Sequence, residues 1–426
     1  MTAKIMIERM MHRSSIAVMG ETAATYALVK LIPTGAGSAR AMGLNIALVL
    51  DVSGSMYDED GTGISRLKRV QDAATKAIAQ LNPTDTISLI GFAHNAAVLL
   101  EPTPVSEREK IEDIINKIDM FDVDPGGTSM DEGMAQGMDV LEKIAEPGRL
   151  SQIVVLTDGE TSGEQNCRLL ASKCHEKKMN LSLMGVGTDW KEGLIKELAK
   201  TATGKWYYID TESAAATDEI FTKEFTTLAS AGFLDVEMHI RPMKDIKLKR
   251  VRQVVPQVEE LNLQEVEERH QVSKLGTLQH DQPSKYIVDL SLPKRPDGQF
   301  VVATVEVTYD AGTGERETTG PVPLEMTFDS VNPGYVNAEV MKHIDDIQMR
   351  EMSSNLEKAL EENNAEQAKK VAEQIEKKGD LMGKRAQKKT MLAKQVLDEM
   401  NAGGGRVSKK TMLAMEDEMR NASEEA

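Results

Sequence analysis

From residue 44 to residue 230 the chain alternates short apolar runs with stretches in which apolar residues recur every three or four positions. Residues 44–50 are apolar apart from Asn45 and end at Asp51, which suits a strand buried on both faces. Ile64, Leu67, Val70, Ala74, Ala77, Ile78 and Leu81 follow at helical spacing until Asn82-Pro83 stops them. Residues 86–92 and 96–100 read as strands around a turn at His94-Asn95, and Ser106 as the cap of a helix through Ile111, Ile114, Ile115 and Ile118. Beyond Gly126-Gly127 the pattern predicts helix 129–145, strand 153–157, a helix carrying Leu169 and Leu170, strand 181–186, helix 194–202, strand 206–209 and helix 213–229. Strands separated by such helices form parallel βαβ units, so residues 44–230 are expected to be a doubly wound, mostly parallel, Rossmann-like α/β domain.

The flanks carry a different pattern. Residues 25–32 read as a strand, as do 234–240, 246–255, 286–292, 300–309 and 322–328, many of them alternating and divided by turns such as Pro296-Asp297-Gly298. Strands without helices suggest a β-sandwich. An early strand and later ones can share it only if the α/β domain is inserted between them. The expected organisation is an N-terminal segment 1–43 contributing a sandwich strand, an α/β domain 44–230, a β-sandwich 231–330 and a C-terminal α-helical region 331–426. In that last region Val340, Ile344, Ile347, Met352, Leu356 and Leu360 mark one amphipathic helix, and Ala365, Ala368, Ala372 and Ile375 a second. Leu392, Val396 and Met400 mark a third, with a final helix from Ser408. The change of period predicts a separable module.

Length and composition sharpen this only in places. At 426 residues several domains are expected, with aromatics at 4% leaving Leu, Ile, Val, Ala and 25 Met to fill the cores. A net charge of −17 repels phosphate backbones and anionic lipids, so nucleic acid is a poor partner. No run approaches the length of a membrane span. Cys167 and Cys174, seven residues apart on a predicted helix, are too distant for a disulfide, and reduced thiols without a leader pattern at the N-terminus suit a cytoplasmic protein.

The candidate chemistry sits at strand exits. Asp51-Val52-Ser53-Gly54-Ser55 follows the first buried strand, where ligands bind in doubly wound sheets. Alternation at 51, 53 and 55 turns one carboxylate and two hydroxyls toward a common point. Gly126-Gly127-Thr128-Ser129 offers another hydroxyl, and Thr157-Asp158-Gly159 a second carboxylate. All are hard oxygen donors, with no histidine or cysteine among them. That selects Mg2+, Mn2+ or Ca2+ over Zn2+.

Asp51-x-Ser53-x-Ser55, Thr128 and Thr157-Asp158-Gly159 resemble the metal-ion-dependent adhesion site of von Willebrand factor A domains. The resemblance implies direct metal contacts from Ser53, Ser55 and Thr128, with Asp51 and Asp158 acting largely through coordinated water. It also implies a partner protein that supplies an Asp or Glu carboxylate to the ion, and no catalysis. The flanks, through 251–256 and 303–307, resemble a bacterial subgroup laid out like inter-α-trypsin inhibitor heavy chains. Intracellular relatives of this kind accompany AAA+ ATPases, a candidate partner class by analogy.

Two other functions fit parts of the pattern. An apolar strand ending in Asp51-x-Ser53-Gly54-Ser55 resembles the haloacid-dehalogenase phosphohydrolase motif, but position 53 is Ser where that chemistry needs an acid. An extracellular adhesin is the other. Asp58-Glu59-Asp60-Gly61 reads as a solvated loop in preference to a second cation site, the histidines lack paired ligand spacing, and Gly35-x-Gly37 reads as a linker.

Overall fold

The computed structural model describes residues 4–18, 21–34, 43–59, 63–120, 124, 126–210, 214–332, 334–403 and 405–422. Its central sheet has six strands in the spatial order Ala96–Pro104, Thr86–Phe92, Gly43–Asp51, Arg149–Thr157, Met179–Val186 and Trp206–Ile209. Neighbours run parallel except for the hairpin of Thr86–Phe92 with Ala96–Pro104. The two-residue period of a strand divides its apolar run between two cores. Ile46, Leu48 and Leu50 pack with Val154 and Leu156 beneath Val70, Ile111 and Phe225 of three helices. Ala47 and Val49 pack with Ile153 and Val155 on the opposite face, against Met134, Leu170 and Leu198.

Local chemistry sets several boundaries. Helix Arg66–Ile78 starts at Ser65, whose hydroxyl accepts the Lys68 amide at 3.2 Å. Ile64 therefore precedes the helix and is exposed. Ser106 does not cap: it lies in a 3-10 turn, Val105–Glu107, and helix Arg108–Asn116 begins after it. Helix Met130–Lys143 lies close on the sheet because Gly133 allows it, since a Cβ there would stand 2.8 Å from Val49 Cγ1.

Around this domain lies the sandwich. One sheet runs Lys4–Met11, Thr22–Thr34, Ser284–Pro293, Lys247–Val255, Glu259–Glu260. Leu28 pairs with Ile287 across it, so strands from before and after the α/β domain are direct neighbours and that domain is an insertion. The facing sheet runs Gln264–Glu267, His270–Gln279, Ala231–Pro242, Gly298–Asp310, Val322–Phe328, Ser15–Ile16. Val29, Leu31, Val288 and Leu290 meet Met238, Ile240, Val305 and Val307 between them. Strands Lys4–Met11 and His270–Gln279 are additions to the expected set.

Among the described residues four α-helices follow the sandwich: Ala338–Glu361, Ala365–Met382, Gln387–Ala402 and Lys409–Arg420. Asn337, Asn364 and Ser408 cap three of them. They share a core of their own, but they are also docked at both ends. Val340, Ile344 and Ile347 cover Leu28, Val254 and Ile287, the outward face of the first sandwich sheet. At the far end Leu413 enters the α/β core, and Arg420 stacks 4.4 Å from the Trp206 ring and donates to the Trp206 carbonyl at 3.1 Å. Beside it, Glu192, Glu357 and Glu416 gather their carboxylates around Lys196, which pairs with all three. That cluster already holds its counter-charge. The expected separability of the helical region therefore meets a structural objection: its removal uncovers two apolar surfaces.

Cys167 and Cys174 are free and buried, and burial pushes their thiols up to about 12 and about 11. No described helix is long and apolar enough to cross a membrane.

Candidate metal site at the sheet edge

Strands Gly43–Asp51 and Arg149–Thr157 are adjacent and parallel, with Leu50 opposite Leu156, so both chains leave the sheet at the same edge. Their connections run to opposite sides, which opens the crevice in which doubly wound sheets bind ligands. Asp51 is fully buried there. Its Oδ1 accepts the Ser53 amide at 2.9 Å, and its Oδ2 accepts the Thr157 hydroxyl at 2.6 Å. Thr157 thus ties the two strand ends together through Asp51.

The hydroxyls follow from that anchor. Ser53 and Ser55 bring their Oγ atoms within 3.2 Å of each other, and Ser55 Oγ donates to Asp158 Oδ1 at 2.7 Å. The third loop is pinned from two sides. Ser129 donates its amide to the Ala93 carbonyl and its hydroxyl to the His94 carbonyl, while the Thr128 carbonyl accepts the Ser162 amide at 3.3 Å. Thr161 Oγ1 accepts the Met130 amide at 3.2 Å. Thr128 Oγ1 stands against Gly159, where an added Cβ would be 3.5 Å away. Direct hydrogen bonds therefore link Asp51, Ser53, Ser55 and Asp158, and Thr128 joins them through its neighbours at Gly159 and Ser162. The loop is thereby tied to its neighbours through Thr128 and Ser129.

Electrostatics distinguish the two carboxylates. Burial pushes Asp51 up to about 6, with the hydrogen bonds from Ser53 and Thr157 opposing it and the nearby Asp158 charge reinforcing it. Asp158 is also buried, but its Oδ2 accepts Arg66 Nη1 at 2.7 Å. Arg66 is the residue at this crevice that the sequence reading passed over. A signal was present: a cation in the first turn of a helix opposes the macrodipole, and so asks for a local anion.

The donor set fits a hard divalent cation. Serine and threonine hydroxyls and two carboxylates, without nitrogen or sulfur, are the ligands such ions prefer. Of the other features noted in the sequence, Asp60-Gly61 and Gly35-x-Gly37 lie outside the described residues. A cavity of about 720 Å³ lies elsewhere, between the α/β domain and the sandwich, and is lined by His175, Lys205, Glu224, His239 and His270. It shares none of the five residues.

Residues 46–160 match the model of the von Willebrand factor type A domain. An uncharacterized protein of Synechocystis is 30% identical over 294 residues, 68% of this chain and 67% of that protein. Inter-alpha-trypsin inhibitor heavy chain H4 of Bos taurus is 27% identical over 192 residues, and there the match spans 42% of this chain but only 20% of the bovine protein. Among solved structures, the von Willebrand factor type A protein from Catenulispora acidiphila superimposes with a TM-score of 0.80 at 15% identity, covering 100% of this chain and 98% of that one. That likeness spans sandwich, α/β domain and helical region together. The doubly wound sheet, its inserted position and the shared segment of sequence place the chain in the family of von Willebrand factor type A domain proteins.

Proposed function

We propose that this protein is a metal-dependent protein-binding or scaffolding protein whose ion grips a carboxylate of a partner. Ser53, Ser55, Thr128, Asp51 and Asp158 would hold the ion, Mg2+ by preference with Mn2+ or Ca2+ able to substitute. Bound there, it supplies a positive centre for the partner's Asp or Glu. The observation that carries this reading is the convergence of hard-oxygen donors from adjacent strand exits, with no softer ligand among the five.

The same geometry favours binding over phosphoryl transfer. A nucleophilic aspartate must meet its substrate, whereas Asp51 is wholly buried and both its oxygens are engaged by Ser53 and Thr157. We place the capture inside the cell, with an AAA+ ATPase as the partner class that the family resemblance offers. The sandwich and the docked helices would hold the α/β domain in a fixed attitude toward that partner.

The test is a calorimetric Mn2+ titration of the full chain and of Asp51→Asn. Asn keeps the shape of the buried side chain and one acceptor, so the variant isolates the loss of charge. The wild type should take up one ion per chain, and the variant should bind at least about tenfold more weakly. Equal affinity in the two proteins would sink the assignment.

A further inference from the structure

The first turn of helix Arg66–Ile78 carries Arg66, Lys68 and Arg69 and no acidic residue. Lys68 has Asp72 at 2.8 Å to balance it four residues on. Arg66 turns instead into the strand-exit crevice. Its Nη1 donates to Asp158 Oδ2 at 2.7 Å, and its Nη2 lies 3.9 Å from Asp189. The pairing with Asp158 is sheltered, since the Asp158 side chain has no exposed surface and that of Arg66 only 20%. Asp189 is 70% exposed and contributes little.

The two oxygens of Asp158 have separate tasks. Oδ1 accepts Ser55 Oγ and so belongs to the hydroxyl cluster, while Oδ2 faces the guanidinium. Arg66 consequently takes the Asp158 oxygen that Ser55 leaves, beside the place formed by the Ser53 and Ser55 hydroxyls. It acts on that place through Asp158. With Asp51 ionised, two carboxylates and one guanidinium leave the crevice a single net negative charge, too little to neutralise a divalent ion.

We propose that Arg66 is a built-in counter-charge that couples ion uptake to carboxylate capture. The proposal rests on the cation reading given above. Arg66 weakens the site's hold on the free ion, because a guanidinium in a sheltered crevice repels it. It also leaves the loaded site with a surplus positive charge, which an incoming carboxylate then neutralises. Ion and carboxylate therefore bind better together than apart. Without Arg66 the two carboxylates would neutralise the ion by themselves, and the gain from a partner's carboxylate would shrink. The second consequence concerns the metal-free protein, where Arg66 keeps a buried Asp158 from standing unpaired.

The probes are Mn2+ and free acetate, used on the full chain as wild type, Arg66→Gln and Arg66→Lys. Arg66→Gln should bind Mn2+ about tenfold more tightly than wild type, and acetate should tighten Mn2+ binding in wild type more than in the variant. Arg66→Lys keeps the charge and should stay within about twofold of wild type in both measurements. Thermal unfolding gives an independent readout: metal-free Arg66→Gln should melt below wild type and gain more from Mn2+. If that variant folds only when refolded with Mn2+ and not in EDTA, the same conclusion holds. Failure to fold under both conditions would make Arg66 a structural residue and overturn the proposal. So would equal or weaker Mn2+ binding by Arg66→Gln, or a Lys variant that behaves like the Gln variant. Absence of Mn2+ binding to the wild type is a separate outcome, and it overturns the cation site itself.

Discussion

A chain ended at Asp329 is expected to lose its cooperative fold. The helix Ala338–Glu361 lies over Leu28, Val254 and Ile287, each of them wholly buried, and over Val258. Uncovering four such side chains forfeits on the order of 6 kcal/mol, comparable with the net stability of a whole domain. At the other end, loss of Lys409–Arg420 bares Trp206 and opens the place filled by Leu413. It also strips Lys196 of Glu357 and Glu416. The measurement is thermal and urea unfolding of the truncated chain followed by circular dichroism. The expected outcome is a broad, early transition or insoluble protein. A truncated chain that melts as sharply and as late as the full one would show that the helices merely rest on their neighbours.

The second expected result is a dependence of metal-free stability on pH that Asp51 imposes. Its folded pKa is raised to about 6 from the ordinary aspartate value of 3.8, with burial as the principal cause. The native state therefore binds the proton more tightly than the unfolded state. The stabilisation this gives is fully present below the unfolded value and is lost as pH rises toward and through about 6. By linkage the wild type should lose about 3 kcal/mol relative to Asp51→Asn between acid and neutral pH, since a shift near two units is worth that much. Hydrogen bonds lost in the variant alter both ends of the comparison alike, so the difference in slope carries the information. Saturating Mn2+ should remove the penalty, because the ion then balances the carboxylate. Urea unfolding of both proteins at several pH values, in EDTA, measures it. Parallel stability profiles would mean that Asp51 is not held in an environment hostile to its charge.

On the proposed reading, the two carboxylates are held at a cost to the metal-free protein. Asp51 and Asp158 lie buried near one another, one lifted in pKa and the other partnered by Arg66. Such groups persist where a ligand later makes use of them.

How far these features could be read from sequence depended on what each signal encodes. The run 44–50 announces a strand buried on both faces, and the two-sided core around Leu48 and Val49 has that form. The insertion was legible because an early strand near 25–32 and strands beyond residue 230 can share one sandwich only if the α/β domain lies between them, and Leu28 pairs with Ile287. Strand Lys4–Met11 was not legible: Ile5 is its one fully buried residue, so its edge position erases the alternation. His270–Gln279 lies inside its sheet, yet Ser273 and Leu278 alone are buried in it, so it too shows little alternation.

The docking of the helices was written in the sequence but read too weakly. Consecutive apolar residues at 27–29 and 286–288 mean that both faces of that sheet are covered. The sandwich core accounts for Val29 and Val288, and the helix Ala338–Glu361 for Leu28 and Ile287. Periodicity shows that a helix has an apolar face without naming what it covers. At the site, the five oxygen donors could be picked out because their types and strand-end positions are constrained together. Arg66 could not be picked out the same way, since a surface cation on a helix is ordinary until its partner is known.

The most direct test of the account is partner capture itself. Tagged wild type with Mg2+, Thr128→Ala with Mg2+, and wild type in EDTA are used as bait in native lysate, and the bound proteins are quantified. Thr128→Ala deletes one hydroxyl donor on a loop that Ser129 and Ser162 still anchor, so the fold should survive the change. The account predicts that proteins recovered by the wild type in Mg2+ fall at least about tenfold in both other arms, because ion and partner affinity decline together. The same proteins returning undiminished in all three arms would contradict it, and would assign binding to the sandwich or the helices instead.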